Sequence, residues 1–458
     1  MASNDIPNGF TGFANRKPVG FESASSAIAR NYTGADEGNS SRAARAGAAP
    51  AGSFQYARDH AQRDPMEELA PERLSDIPDT DRRWSWVEID LSAIRHNAMA
   101  VKQRIGAGTR LMAVVKADAY GHGAVRCAKT ALNSGAEYLG VATVNEGIQL
   151  REAQITAPIL ILSEPPVQAI PLLLAYRIMP SVYTSEFAIQ YGEVADSMGL
   201  RAPYHLAVNT GMNRIGVRYD EVVEFMSTVN FHRALDLVGT FTHFATADCA
   251  ETLDFQLQAT RFVEAVNALH QAGIDPGIVH AANSAASIRY PNVAFDMVRL
   301  GIGLYGFQPC PQTRSMIELR PAMSVHARIT DTRTVPMGDG VSYGLHYRSN
   351  GNVKICTIPI GYADGYRRGL SGRTKVVCGG RLCNQVGNIC MDQCMFEVDT
   401  RSRASHPRVD PQIGDEVLLV GAQGDAVVTI DELADTLGTI QHEISIGFGC
   451  SRMPRYFV

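Results

Sequence analysis

The sequence predicts an α/β protein: a (β/α)8 barrel over residues 84–320, a C-terminal all-β domain over 321–458, and a disordered extension over 1–83. Three observations carry this. From Trp84 to about residue 310, eight short apolar runs alternate with amphipathic stretches, the pattern of parallel strands joined by helices. Beyond about residue 320 the pattern becomes β-runs separated by Gly, Asp and Asn turns. The first 83 residues are rich in Ala, Gly, Ser, Asn and Arg with few large aliphatics, so they bury too little apolar surface to offset the entropy of ordering.

In chain order, WSWVEIDL (84–91) is a strand that fits the β domain better than the barrel, which makes that domain discontinuous. SAIRHNAMAVKQRI follows as a helix with Ser92 as its N-cap. The eight barrel runs are LMAVVKAD, YLGVAT, ILIL, IMPSV, YHLAVNT, LVGTFTHF, IVHAAN and MVRLGIGLY. Stretches such as AVRCAKTALNSGA and LDFQLQATRFVEAVNALHQAG supply the helices between them. The later β-runs are SVHARITDTRTVP, GNVKICTIPIGY, TKVVCGGRLCNQVG, CMDQCMFEVDT and DEVLLVGAQG, with one short helix, IDELADTL, beginning after Thr429 or Ile430.

Composition excludes several function classes. Apolar residues make up 45% and charged residues 19% of the 458, enough for a large core. The net charge of −5, without a basic stripe, argues against nucleic acid as a partner. No run of about 18 apolar residues suggests a membrane span, and the N-terminus lacks a secretory pattern. The nine cysteines form no CxxC pair, and Cys390 and Cys394 have no nearby His to complete a site. The expectation is reduced thiols, a cytoplasmic location and no metal centre.

Function in such a barrel sits at the C-terminal ends of its strands. The polar residues there are Lys116, Asn209 with Arg214, His243, Asn283 with Ser284, and Arg299. Lys116 follows an apolar run. Read alone, it is either a desolvated amine made nucleophilic toward an aldehyde or a strand-end lysine reaching to solvent. Tyr120, Gly121, His122 and Gly123 lead into a helix whose N-terminus favours an anion. Ser284 with the amides of Gly301 and Ile302 suits the phosphate position after strands seven and eight, although Ser284 also fits an N-cap.

VVKADAYGHG resembles the pyridoxal 5'-phosphate (PLP) attachment signature of the alanine racemase family. NTGMNRIGV, THFATAD, HAANSAAS, VRLGIGLYG, VSYG, PIGYADG, NICMDQ and SRMPR match that family's blocks in the family's order, over about residues 84–458. The resemblance implies a homodimer with shared active sites in which Lys116 carries PLP. Tyr120, Asn283, Ser284, Gly301 and Ile302 would hold its phosphate end, and Arg299 would meet its ring nitrogen. Arginine does not act as an acid at neutral pH, so that nitrogen stays unprotonated and side reactions such as transamination are disfavoured.

The resemblance further implies two bases on opposite faces of the substrate. One is Lys116; the other is Tyr343 of the partner subunit, assisted by His243 and, behind it, Arg299. Arg214 and Met391 would border the substrate carboxylate, and Tyr362 the entrance. The implied activity interconverts L- and D-alanine and supplies D-alanine for peptidoglycan.

Two departures from the family pattern bear on substrate range. A lysine and an aspartate usual in the family are here Ala207 and Asn209, so chloride or water would have to neutralise Arg214. His442 stands where a tyrosine is usual, and one extra residue precedes SRMPR. Both keep open a broad-specificity racemase acting on serine or larger amino acids. The rivals of another class are a basic-amino-acid decarboxylase on the same barrel and a non-catalytic PLP-binding single barrel. The first has a shorter lysine motif, and the second lacks the β domain and hence Tyr343.

Overall fold

The computed structural model describes residues 82–229, 231–399 and 410–458. The disordered extension expected over 1–83 therefore lies outside the described residues, apart from Arg82 and Arg83. Strand β1 (Ser85–Ile89) and helix α1 (Leu91–Ile105) precede the barrel. The cap of α1 is Asp90, not Ser92. Asp90 keeps extended backbone angles while its carboxylate accepts from the amides of Ser92 (2.7 Å) and Ala93 (3.1 Å). Ser92 lies inside the first turn, where its own amide needs an acceptor.

The barrel strands are β2 (Arg110–Val114), β3 (Tyr138–Val141), β4 (Ile159–Ile161), β5 (Met179–Val182), β6 (Ala202–Asn209) and, after a two-residue β7 (Val217–Arg218), β8 (Leu235–Phe241), β9 (Ile278–His280) and β10 (Met297–Leu300). They run parallel in the order β5-β4-β3-β2-β10-β9-β8-β6, and pairing of β5 with β6 closes the ring. Both strand faces are buried, which explains the near-continuous apolar runs. Met112, Tyr138, Leu160, Met179 and Met297, from five strands, form one cluster. Alternate residues such as Leu111, Ala113 and Leu139 join the larger core shared with the helices. Those helices are α2 (Ala124–Leu132), α3 (Val144–Glu152), α4 (Ile170–Tyr176), α5 (Ser185–Met198), α6 (Val222–Val229), α7 (Leu253–Gln271) and α8 (Ser284–Arg289).

The chain then enters a β-rich domain. It comprises β11 (Met323–Arg328), β12 (Asp331–Val335), β13 (Gly340–Val341), β14 (Tyr347–Arg348), β15 (Val353–Ile358), β16 (Lys375–Cys378), β17 (Arg381–Val386), β18 (Cys394–Val398), β19 (Glu416–Gln423) and β20 (Ala426–Val428), closed by helices α9 (Ile430–Leu437) and α10 (Gln441–Gly449) and strand β21 (Arg455–Phe457). The main sheet runs β12-β15-β18-β17-β16-β19-β11-β1-β21. The opening strand β1 thus sits inside the last sheet, antiparallel to β11 and parallel to β21. Thr429 caps α9 in a reciprocal box with Glu432. The sequence reading leaves out α10; its two glycines and β-branched residues hide the helical period. Among the described residues no helix is long and apolar enough to cross a membrane.

Candidate active site

Lys116 leaves the end of β2 and begins a turn of unusual hand. Ala117, Asp118, Ala119 and Tyr120 all have φ between 50° and 56°, a left-handed helical turn built from residues with a Cβ. Each such residue costs about 1–2 kcal/mol, so the surroundings must hold the turn. Glu146, the N3 residue of α3, accepts from the Ala117 amide at 2.7 Å and, through its other oxygen, from the Ala142 and Thr143 amides at 2.7 and 3.2 Å. Asp118 accepts from the Ala124 amide at 2.7 Å and pairs with Arg455, which also donates to the Gly121 carbonyl at 3.1 Å. Helix α10 closes over the turn so tightly that a Cβ on Gly449 would lie 1.9 Å from the Gly121 oxygen.

A cavity of about 570 Å³ opens at this end of the barrel. Its walls include Lys116, Tyr120, Arg214, His243, Asn283, Ser284, Arg299, Gly301 and Ile302, so the structure gathers nine of the residues predicted from sequence. Asn283, not Ser284, is the cap of α8, accepting from the Ala286 amide at 3.0 Å. Ser284 Oγ accepts from the amides of Gly301 (3.0 Å) and Gly303 (3.2 Å), which leaves its own O–H to donate. The Gly301 amide is thus already engaged within the chain. A Cβ on Gly301 would come within 2.7 Å of the Tyr120 hydroxyl, so glycine is what permits this wall to close in.

Arg299 is buried and anchors a line of imidazoles. Its Nη2 donates to the Thr242 and Ala281 carbonyls at 2.8 and 3.0 Å and to His243 Nδ1 at 3.0 Å. Its Nη1 donates to His280 Nδ1 at 3.0 Å, and His280 Nε2 meets His205 Nδ1 at 2.9 Å. Burial and the charge of Arg299 hold His243 and His280 well below the ordinary imidazole value, so both are neutral at pH 7. Because Arg299 only donates, His243 and His280 accept through Nδ1 and carry their protons on Nε2.

Lys116, Arg214 and Arg299 bring three cations to a cavity whose lining holds one carboxylate, Asp248. Burial first, then the Arg214 charge, lowers the Lys116 amine below its ordinary value; Glu146 works against this. Ala207 is buried in the wall, and Asn209 spends its side-chain oxygen on the amides of Gly211 and Asn213, both at 3.1 Å, shaping the loop that bears Arg214. His442, on α10, also lines the cavity and packs against the Tyr120 ring at 5.4 Å. Burial, then the Lys116 charge, lowers its imidazole.

Within one chain, Tyr343, Tyr362 and Met391 are not brought to this cavity. They stand exposed on the β domain, at 72%, 41% and 53% of their full area. Their loops are tied together. Asn388 donates to the Tyr343 carbonyl at 2.7 Å, and the Tyr362 and Ala363 amides donate to the carbonyls of Cys390 and Met391, each at 3.0 Å.

Residues 89–309 match the alanine racemase N-terminal domain and residues 322–457 the alanine racemase C-terminal domain. An alanine racemase of Synechocystis sp. is 42% identical over 380 residues, 82% of this chain and 100% of the relative. The chain belongs to the alanine racemase family. It is accordingly an isomerase of a PLP-dependent family. Among solved structures, the alanine racemase from Bacillus anthracis with bound L-Ala-P superposes with a TM-score of 0.76 at 37% identity, over 82% of this chain and 95% of that one. The histidine racemase from Leuconostoc mesenteroides subsp. sake does so with 0.74 at 30%, over 82% and 98%.

The sequence reading does not single out Glu146 and Asp118, which hold the turn after Lys116, or His280 and His205, which extend the line from Arg299. The Thr143-to-Glu146 spacing of a capping box is a signal that could have flagged Glu146. The cavity also fits the family's cofactor. Its excess of cations suits a phosphate and a phenolate, the glycine-walled cradle beside Tyr120 and Ser284 suits a phosphate, and the Arg299 Nε–H, which takes no part in that residue's bonds to the described residues, can donate to a ring nitrogen.

Proposed function

We propose that the chain racemises alanine with PLP bound to Lys116, in a homodimer whose two sites are each completed by Tyr343, Met391 and Tyr362 of the partner subunit. Tyr120 and Ser284, with Asn283, Gly301 and Ile302 shaping the wall, would hold the phosphate, and Arg299 the ring. When bound, PLP supplies the electron sink that makes the substrate Cα–H acidic. The chain's own residues do the rest. Arg214 binds the substrate carboxylate as a charge-assisted partner. Lys116, its amine held low by burial and Arg214, takes or gives the proton on one face.

The opposite face needs its own acid-base group. His243 presents Nε2–H because its Nδ1 is committed to Arg299. That N–H stabilises a phenolate, which is what Tyr343 of the partner subunit must become to act as a base. The observation that carries the reading is the convergence of Lys116, Arg214 and the His243–Arg299 pair on one cavity, with Tyr343 exposed rather than packed in its own chain. A broader range, reaching serine or larger amino acids, is the second reading. It rests on Ala207 and His442 in the cavity wall and on the likeness to a histidine racemase.

The test incubates the PLP-loaded protein with L-Ala, L-Ser, L-Lys, L-Arg and L-Met and quantifies D-enantiomers by chiral chromatography, with Lys116→Ala as control. D-Alanine alone supports the first reading, and D-forms of larger residues the second. No D-product from any of them overturns both.

A further inference from the structure

His205 is fully buried in β6 and touches no part of the cavity, yet it ends a continuous line of hydrogen bonds that begins at Arg299. The polarity of that line follows from its first member. Arg299 Nη1 donates, so His280 Nδ1 accepts, and a neutral His280 then carries its one proton on Nε2. That Nε2–H has His205 Nδ1 as its acceptor at 2.9 Å. His205 in turn carries its proton on Nε2, which is buried without a partner. Gly239, on the adjacent strand, makes room for the ring: a Cβ there would lie 2.5 Å from His205 Nδ1. A buried imidazole with an orphaned N–H is a poor core residue, and its function is at its other nitrogen.

Resting on the reading given above, we propose that His205 is a positioning residue for Arg299, acting through His280. By accepting from His280 Nε2, it holds the His280 ring where its Nδ1 meets Arg299 Nη1. Both terminal nitrogens of Arg299 are then consumed by the protein, and Nε–H is the donor left for the cofactor ring. Without His205, His280 Nε2–H is orphaned. Arg299 still fixes that tautomer, so the ring is instead released to tilt, which lengthens the Nδ1 contact and turns the guanidinium.

Two substitutions separate this from simple packing. The oxygen of Asn stands where the imidazole Nδ1 stands and can accept from His280, whereas Leu matches the volume of His better but accepts nothing. The full-length, PLP-loaded protein labelled with 15N-histidine is examined by NMR alongside steady-state kinetics. The expected result is a neutral His280 protonated on Nε2 in the wild type and in His205→Asn. In His205→Leu the His280 Nε2–H loses its hydrogen-bonded proton shift and kcat falls about tenfold, with KM within about twofold of wild type. A wild-type His280 protonated on Nδ1 overturns the proposal without any variant. So does a Leu variant that equals or exceeds the Asn variant in kcat. If the wild type shows no racemase activity, the functional reading has failed, and the tautomer of His280 still decides the polarity of the line.

Discussion

Substituting Glu146 with Gln isolates what holds Lys116 in place. The carboxylate accepts from three backbone amides, Ala117 at one oxygen and Ala142 and Thr143 at the other. An amide side chain keeps one oxygen, which best serves the latter pair. Its NH2 then faces the Ala117 N–H, donor against donor. One charge-assisted bond is lost and one backbone donor is orphaned, worth about 2–3 kcal/mol together. Ala117 is the residue after Lys116 and the first of the left-handed turn, so the cost falls on the position of the lysine amine. A displacement of about 1 Å at a reacting group costs on the order of 100-fold in rate. The expected outcome is a loss of about 30- to 100-fold in kcat/KM for alanine racemisation, with the stability loss seen in urea unfolding. Glu146→Asp, charged but short, should fall between. Wild-type kcat/KM in Glu146→Gln would refute the claim that this carboxylate positions Lys116.

Three further outcomes are expected. Burial holds His122 at about 4 and His205 at about 3, against an ordinary 6.5. Below 6.5 the unfolded chain takes up protons that these two refuse, so stability falls as pH drops from 6.5 toward 4, by about 1.4 kcal/mol per histidine per pH unit. Urea midpoints at pH 7 and 5.5 check this, and equal unfolding free energies would contradict it. Gly449→Ala, whose Cβ would meet the Gly121 oxygen, should lower stability by about 1–3 kcal/mol and speed PLP loss, read by thermal melting and by absorbance after dialysis. Lys116→Ala and Tyr343→Phe, each with little activity, should recover about a quarter of wild-type sites when mixed and allowed to exchange subunits, because half of the dimers then carry one intact site. No recovery after verified exchange would place both residues in one chain's site.

The barrel was legible because its strands are mostly buried apolar runs; Lys116, His243 and Arg299 announce themselves by interrupting or ending those runs. The left-handed turn was not legible. Its Ala-Asp-Ala-Tyr sequence contains no glycine, and the conformation is imposed by Glu146, Asp118 and Arg455 from three separate places in the chain. His280 and His205 looked like strand residues, since their pairing depends on β6 and β9 flanking β8, where Gly239 leaves room for the His205 ring. Ser92 lost the cap to Asp90 because the helix starts at Leu91, two residues earlier than a Ser92 cap implies. Tyr343 could be named from the VSYG block, but nothing local shows why an aromatic should stand exposed there.

Strand β1 has a consequence for how the chain is made. It is translated first among the described strands, yet its partners are residues 323–327 and 455–457. At elongation speeds of about 5–20 residues per second, the growing chain carries this apolar segment unpaired for tens of seconds while the barrel forms around the residues that follow. During that interval it is an open edge that another nascent chain could join. Arg455 to Phe457, the last described strand, complete its pairing on one side, so removing β21 should reopen that edge of β1.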